Sequence, residues 1–178
     1  MKVILDDYVK PAAGCRVLDV GCGNADMGHL LPTDCTYLGL DSNPRYIKNA
    51  KAKGLNVIEA NVADLGGLGF GPFDVVVAVG VIHHLDDSTA SALFADVSKV
   101  LSLGGSLVTV DPVNHPGQSL VSRTIMSLDR GRFIRRREGY ESLIGGVFTA
   151  PTITMRYDLN PFPYAHCIVE ARGLPAVG

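Results

Sequence analysis

The feature of this 178-residue chain that most restricts its fold is an alternation: short apolar runs rich in β-branched residues are separated by longer stretches of helical period. That rhythm belongs to βα units laid into a parallel sheet. Arg16 to Val20, Tyr37 to Asp41, Asn56 to Ala60, Asp74 to Val79 and Ser106 to Val110 read as its first five strands. The fourth is apolar throughout after its first residue, as a strand covered on both faces requires. It therefore takes a central place, and Asp74 takes a structural role at its start. Ser42 or Asn43 caps a helix opening on Pro44, where a missing N–H does no harm, and that helix ends near Gly54. Another helix starts near Ser88, carries Leu93, Val97, Val100 and Leu101 on one face, and closes at Gly104-Gly105.

After Pro112 the alternation stops. The stretch 113–150 reads as an insertion on the substrate side, with a helix over Gln118 to Leu128, an arginine-rich loop and a further short helix. Thr152 to Leu159 and His166 to Ala171 read as two final strands joined by the proline-broken turn Asn160-Pro161-Phe162-Pro163. The expectation is one α/β domain over 1–178. A hydrophobic fraction of 47% against 19% charged residues supports a folded core.

No apolar run approaches the roughly 20 residues that a spanning helix needs, and Met1 to Lys10 carries Asp6 and Asp7 where a secretory signal would be apolar. A cytoplasmic protein without a membrane span is expected. Cys15, Cys22, Cys35 and Cys167 form no CxxC pair and are far apart in sequence, so free thiols are expected and no zinc site. A formal net charge of -2 argues against nucleic acid as a general partner.

The segment Val17-Leu18-Asp19-Val20-Gly21-Cys22-Gly23-Asn24-Ala25 reads as a strand, a glycine turn and the start of a helix. Glycines at 21 and 23 let the backbone lie against a ligand, and a helix N-terminus beyond them favours negative charge. A dinucleotide fingerprint would need a third glycine at position 26, where this chain has Asp26, and an NAD-dependent oxidoreductase is disfavoured accordingly. Asp19, just before the turn, is placed to attract an ammonium group, and Asp41, closing the second strand, can accept from both hydroxyls of a ribose.

These residues resemble the class I S-adenosylmethionine-dependent methyltransferases. VLDVGCGNA is similar to that family's first motif and LGLDSNPRYI to its second. Asn61-Val62-Ala63-Asp64-Leu65 resembles the adenine-holding segment, with Asn61 where the family has Asp. Phe73 to Leu85 resembles the fourth motif, and Leu101 to Val108 the turn and strand that follow. The similarity runs over about residues 16 to 112. It implies a doubly wound, seven-stranded, mostly parallel sheet with an antiparallel last strand, and S-adenosyl-L-methionine as cofactor. It further implies a cofactor site at Asp19, Gly21, Cys22, Gly23, Asp41, Ser42, Asn61, Val62 and Val79.

The same resemblance marks His84, after the fourth strand, as the candidate base for deprotonating an acceptor oxygen or nitrogen. His83, Asp111, Asn114 and Tyr164 are the candidate substrate contacts, with His166 beside Tyr164 on weaker grounds. No metal is expected, because adjacent histidines rarely face one ion and no third ligand is suitably spaced. Arginines 123, 130, 132, 135, 136 and 137 form either a solvated face or a patch that recruits an anionic acceptor. Relatives acting on small molecules carry helices ahead of the first strand, where this chain has some 15 residues. A bulky acceptor such as a glycan or lipid-linked molecule is therefore favoured, unless the insertion or a homodimer partner covers the site. A non-catalytic S-adenosylmethionine-binding module remains the alternative reading.

Overall fold

Seven strands lie in one sheet in the order β3-β2-β1-β4-β5-β7-β6. They are β1 Arg16–Val20, β2 Thr36–Asp41, β3 Val57–Glu59, β4 Phe73–Val79, β5 Leu101–Pro112, β6 Thr152–Arg156 and β7 His166–Arg172. The structure is a computed structural model and describes residues 1–128 and 131–173. The pairs β1–β2, β1–β4, β2–β3 and β4–β5 are parallel, whereas β7 runs antiparallel to both β5 and β6. This is the doubly wound architecture expected. The strand order reverses between β1 and β4, which opens a crevice at their carboxyl ends.

Side-chain alternation distributes the core over both faces of the sheet. On one face Leu18, Val20, Val76, Ala78 and Leu107 pack with Leu93, Phe94 and Val97 of helix α3 (Asp87–Val100) and with Tyr140 and Ile144 of α5 (Arg137–Gly145). On the other, Val17, Val75, Val77, Val108, Val110 and Ile168 lie with Ile4, Leu5 and Val9. Those three belong to α1 (Lys2–Ile4) and the wide helical turn Leu5–Val9 that continues it. Helix α2 (Pro44–Ala52) places Ile47 and Ala50 against Val57. Its cap is Asn43, whose side chain accepts from the Arg45 N–H at 3.0 Å, with Pro44 in the first turn. Helix α4 (Leu120–Ser127) and α5 fall between β5 and β6 in sequence. No helix among the described residues is long and apolar enough to cross a membrane.

Three expectations need correction. No α-helix follows the glycine turn: only a 3-10 turn at Gly28–Leu30 separates it from β2. The connection holds Gly28 and Pro32, both of which disfavour a helix interior. Helix α3 does not run to Gly104-Gly105 but stops at Val100, and β5 starts at Leu101, already paired with Phe73. Gly104-Gly105 instead sits inside the strand, where a Cβ on Gly105 would lie 2.9 Å from the Ser102 carbonyl and 3.0 Å from that of Phe73. Close backbone approach, not helix termination, explains that glycine. Finally, the sixth strand ends at Arg156 rather than Leu159.

Candidate active site

The parallel strands deliver the sequence-predicted residues to one edge. Gly21, Cys22 and Gly23 follow β1, Asp41 ends β2, Asn61 follows β3, Val79 ends β4, and Asp111 is the penultimate residue of β5. Gly21 has φ +69° and a Cβ there would stand 2.5 Å from Val81 Cγ2, so both its conformation and its surroundings demand glycine. Gly23 has φ +55° with nothing within 4 Å of its would-be Cβ, leaving open space over the turn. Asp41 fastens this loop, since its Oδ2 accepts from the Gly23 N–H at 2.9 Å and its Oδ1 from the Asn43 N–H at 2.7 Å. Ser42 and Asn61 are exposed, and Asn61 Oδ1 accepts from the Ala63 N–H at 3.0 Å, capping the 3-10 turn Val62–Gly67.

Asp19 is buried, and Tyr37 donates its hydroxyl to Asp19 Oδ2 at 2.8 Å. Burial pushes the Asp19 carboxyl up to about 7; the Tyr37 hydrogen bond opposes that rise and the Asp41 charge adds to it. Tyr37 was missed by sequence reasoning. The available signal was Gly39 inside a strand: a Cβ at Gly39 would lie 2.8 Å from both the Tyr37 hydroxyl and Cys22 Sγ, so its absence makes room for them. Burial, together with Asp19 and Asp41, also pushes the Cys22 thiol up to about 12, which disfavours its thiolate.

On the other side of the crevice, His83 and His84 end the 3-10 turn Ile82–His84. His83 is buried, and Asp111 Oδ1 takes both its backbone N–H at 3.1 Å and its Nδ1 at 2.8 Å. His84 is exposed and its ring centroid lies 4.0 Å from that of His83. The insertion closes over His83: the Phe133 N–H donates to the His83 carbonyl at 2.9 Å, and Gly131 approaches so closely that a Cβ would overlap the ring. Asn114 secures the loop by donating Nδ2 to the Ile134 carbonyl at 2.9 Å. Asp111 Oδ2 and His166 Nδ1 are buried without a hydrogen-bond partner among the described residues. Burial holds the His166 imidazole below its ordinary value, with Asp111 opposing. Tyr164 is buried at the same edge, its ring 5.1 Å from His166.

The arginines do not act as one group. Arg135 donates to Asp87 Oδ1 through Nε at 2.9 Å and Nη2 at 2.7 Å, and to the carbonyls of Ile82, Leu85 and Phe133. It is a structural clamp between the histidine turn, the start of α3 and the insertion, which removes it from any acceptor patch. Arg123 and Arg136 instead line a cleft of about 620 Å³ with Asn114, His115, Gly117 and Gln118. Arg130 lies outside the described residues. Asp74 is far from this edge, tying strand starts together by accepting from the Arg16 N–H and the Ser102 hydroxyl, each at 2.9 Å. Among the described residues no three His, Cys, Asp or Glu side chains are grouped to hold a metal ion.

A doubly wound sheet of this order, with a bare glycine turn at its switch point and carboxylates at or next to the ends of two neighbouring strands, is an α/β architecture of the methyltransferase type. The chain belongs to the class I S-adenosylmethionine-dependent methyltransferase family, and the family model described as "Methyltransferase domain" matches residues 17–105, half of its length. A ubiquinone biosynthesis O-methyltransferase of Xanthomonas oryzae pv. oryzae is 34% identical over 115 residues, covering 57% of this chain and 46% of that protein. One of a Caulobacter species is 32% identical over 109 residues, covering 55% and 41%. This chain thus spans less than half the length of the curated relatives it matches. A SAM dependent methyltransferase from Archaeoglobus fulgidus has TM-score 0.77 at 20% identity, over 96% of this chain and 92% of that one. Phosphoethanolamine N-methyltransferase 2 of Haemonchus contortus, solved with S-adenosyl-L-methionine, has TM-score 0.77 at 16% identity, over 98% and 52%. At such identities the likeness establishes the fold.

Proposed function

We propose that this chain binds S-adenosyl-L-methionine at the β1–β2 edge and transfers its methyl group to a hydroxyl of a small or lipid-linked acceptor. The observation that carries the reading is the pairing of two acidic strand ends, Asp19 and Asp41, with the open turn at Gly23. Room over Gly23 fits a nucleoside, the Asp41 carboxylate suits ribose hydroxyls, and a buried carboxyl at Asp19 suits an ammonium group. Asn61 and Val62 flank the adenine position, with Cys22, Ser42 and Val79 completing the rim. When bound, S-adenosylmethionine supplies an activated methyl group, so little beyond alignment is asked of the protein.

His84 takes the acceptor proton on an imidazole nitrogen, and the buried His83–Asp111 pair fixes the turn that presents it. Oxygen is preferred over nitrogen because a hydroxyl needs such a base, and the named function of the curated relatives agrees. Arg123 and Arg136 offer a cationic subsite for an anionic group of the acceptor, with Asn114 at the same cleft, while Asp111 acts through His83 and Tyr164 stands beside His166 at the same strand edge. The chain acts as one domain in which the stretch 113–150 covers the acceptor side, in the cytoplasm, and a homodimer is compatible with that arrangement. Calorimetric titration with S-adenosylmethionine, S-adenosylhomocysteine and NADH tests donor binding, and release of S-adenosylhomocysteine in a cell extract tests turnover. Tighter binding of NADH would overturn the assignment, and donor binding without turnover would leave a non-catalytic module.

A further inference from the structure

The thiols of Cys15 and Cys35 lie 20 residues apart in sequence, yet their sulfurs stand 3.0 Å from each other, closer than ordinary contact between two sulfur atoms. The juxtaposition comes from strand register. Arg16 pairs with Thr36 across the parallel β1–β2 ladder, and each cysteine immediately precedes one of them. The Thr36 N–H donates to the Cys15 carbonyl at 2.9 Å, continuing the ladder to the cysteines. Neighbouring strands about 4.8 Å apart lie within the Cα separation a disulfide spans, and closing the sulfurs to about 2.05 Å needs only a shift of about 1 Å. Cys35 is partly exposed, whereas Cys15 is buried.

We propose that Cys15 and Cys35 form a dithiol site that reacts with small-molecule disulfides and closes into an intramolecular bond. The Cys35 thiolate, being the accessible one, attacks one sulfur of oxidised glutathione and expels a glutathione thiolate, which takes up a proton. Cys15 then loses its proton and attacks Cys35 Sγ, expelling the second glutathione. The protein dithiol is oxidised by two electrons and one glutathione disulfide is reduced to two thiols. Burial pushes the Cys15 thiol up to about 12, with Cys35, Asp74 and Asp34 adding to the rise, so the second exchange is the slower. The segment enclosed by the bond is β1, the whole glycine turn and the 3-10 connection that replaces the expected helix. The bond would therefore staple the donor loop at its base, at the strand ends opposite Asp41.

The test is to incubate the reduced full chain with oxidised glutathione at pH 8.5, then record intact mass, a peptide map and the melting temperature. The expected result is a loss of two daltons, a Cys15–Cys35 cross-linked peptide and a rise in Tm of about 5–10 °C. Dithiothreitol should reverse all three, and Cys35→Ser should abolish the mass loss. A stable glutathione adduct on Cys35 without the cross-link, a cross-link that uses Cys22 or Cys167, or a cross-link that leaves Tm unchanged would overturn the proposal.

Discussion

The proposed donor side and the proposed acceptor side of the crevice are built by different means. Around β1 and β2 the site is made of backbone: glycines at positive φ, strand ends set by register, and one carboxylate capping two N–H groups. Around His83 it is made of side chains that arrive from distant sequence, with Asp111 from β5 and Arg135 from the insertion meeting one short turn. Backbone sites tolerate little local substitution and draw on few distant side chains. Side-chain sites depend on every element that contributes to them.

The largest test of that contrast is Gly21→Ala. The added methyl must displace Val81 and occupy a left-handed conformation, so donor affinity should fall more than about 100-fold and the protein should lose about 2 kcal/mol or more of stability. Gly23→Ala sharpens the point. With open space above it, it should cost only about 1 kcal/mol of stability yet still weaken donor binding tenfold or more, as calorimetry and thermal melts would show. Equal losses of stability at both positions would break the distinction between them.

On the acceptor side, Arg135→Ala removes the donor from three carbonyls and leaves Asp87 unpaired. The expected cost is about 2–3 kcal/mol in denaturant melts, with turnover lost and donor affinity held within about twofold. A parallel fall in donor affinity would mean that the two sides are not separately built.

A smaller effect concerns Asp19. Only its ionised form attracts an ammonium, and its carboxyl titrates near 7, so donor affinity should weaken about five- to tenfold as pH falls from 7.5 to 6. Asp19→Asn should flatten that profile. Its folded-state value is raised above the ordinary 3.8, so its contribution to stability is complete below that value and is lost as pH rises through about 7. The Asn variant should accordingly gain a few degrees in Tm over wild type at pH 8 and nothing at pH 3.5.

The same division separates what is legible in the sequence from what is not. The strands and the residues at Asp19, Gly21, Gly23 and Asp41 are legible in short local runs, where period and turn chemistry act. The partnership of His83 with Asp111 spans 28 residues, and the clamp from Arg135 to Asp87 spans 48. Nothing in composition or spacing announces either, and Arg135 was grouped with its exposed neighbours because sequence proximity does not distinguish a buried guanidinium from a solvated one. Tyr37 failed to stand out because an aromatic residue in a strand is ordinary; only its neighbour Gly39 carried a hint. The motif similarity that suggests a helix after the glycine turn extends only to Ala25, and beyond it Gly28 and Pro32 govern the backbone.

That absence bears on which cofactor the fold can select. A helix beginning at the turn would focus about half a positive charge on it, an attraction for the bridging phosphates of dinucleotides. With only Gly28–Leu30 in its place and the Asp19 and Asp41 carboxyl groups beside it, the turn carries no such bait, and the proposed preference for a positively charged sulfur compound over phosphorylated competitors would follow from that.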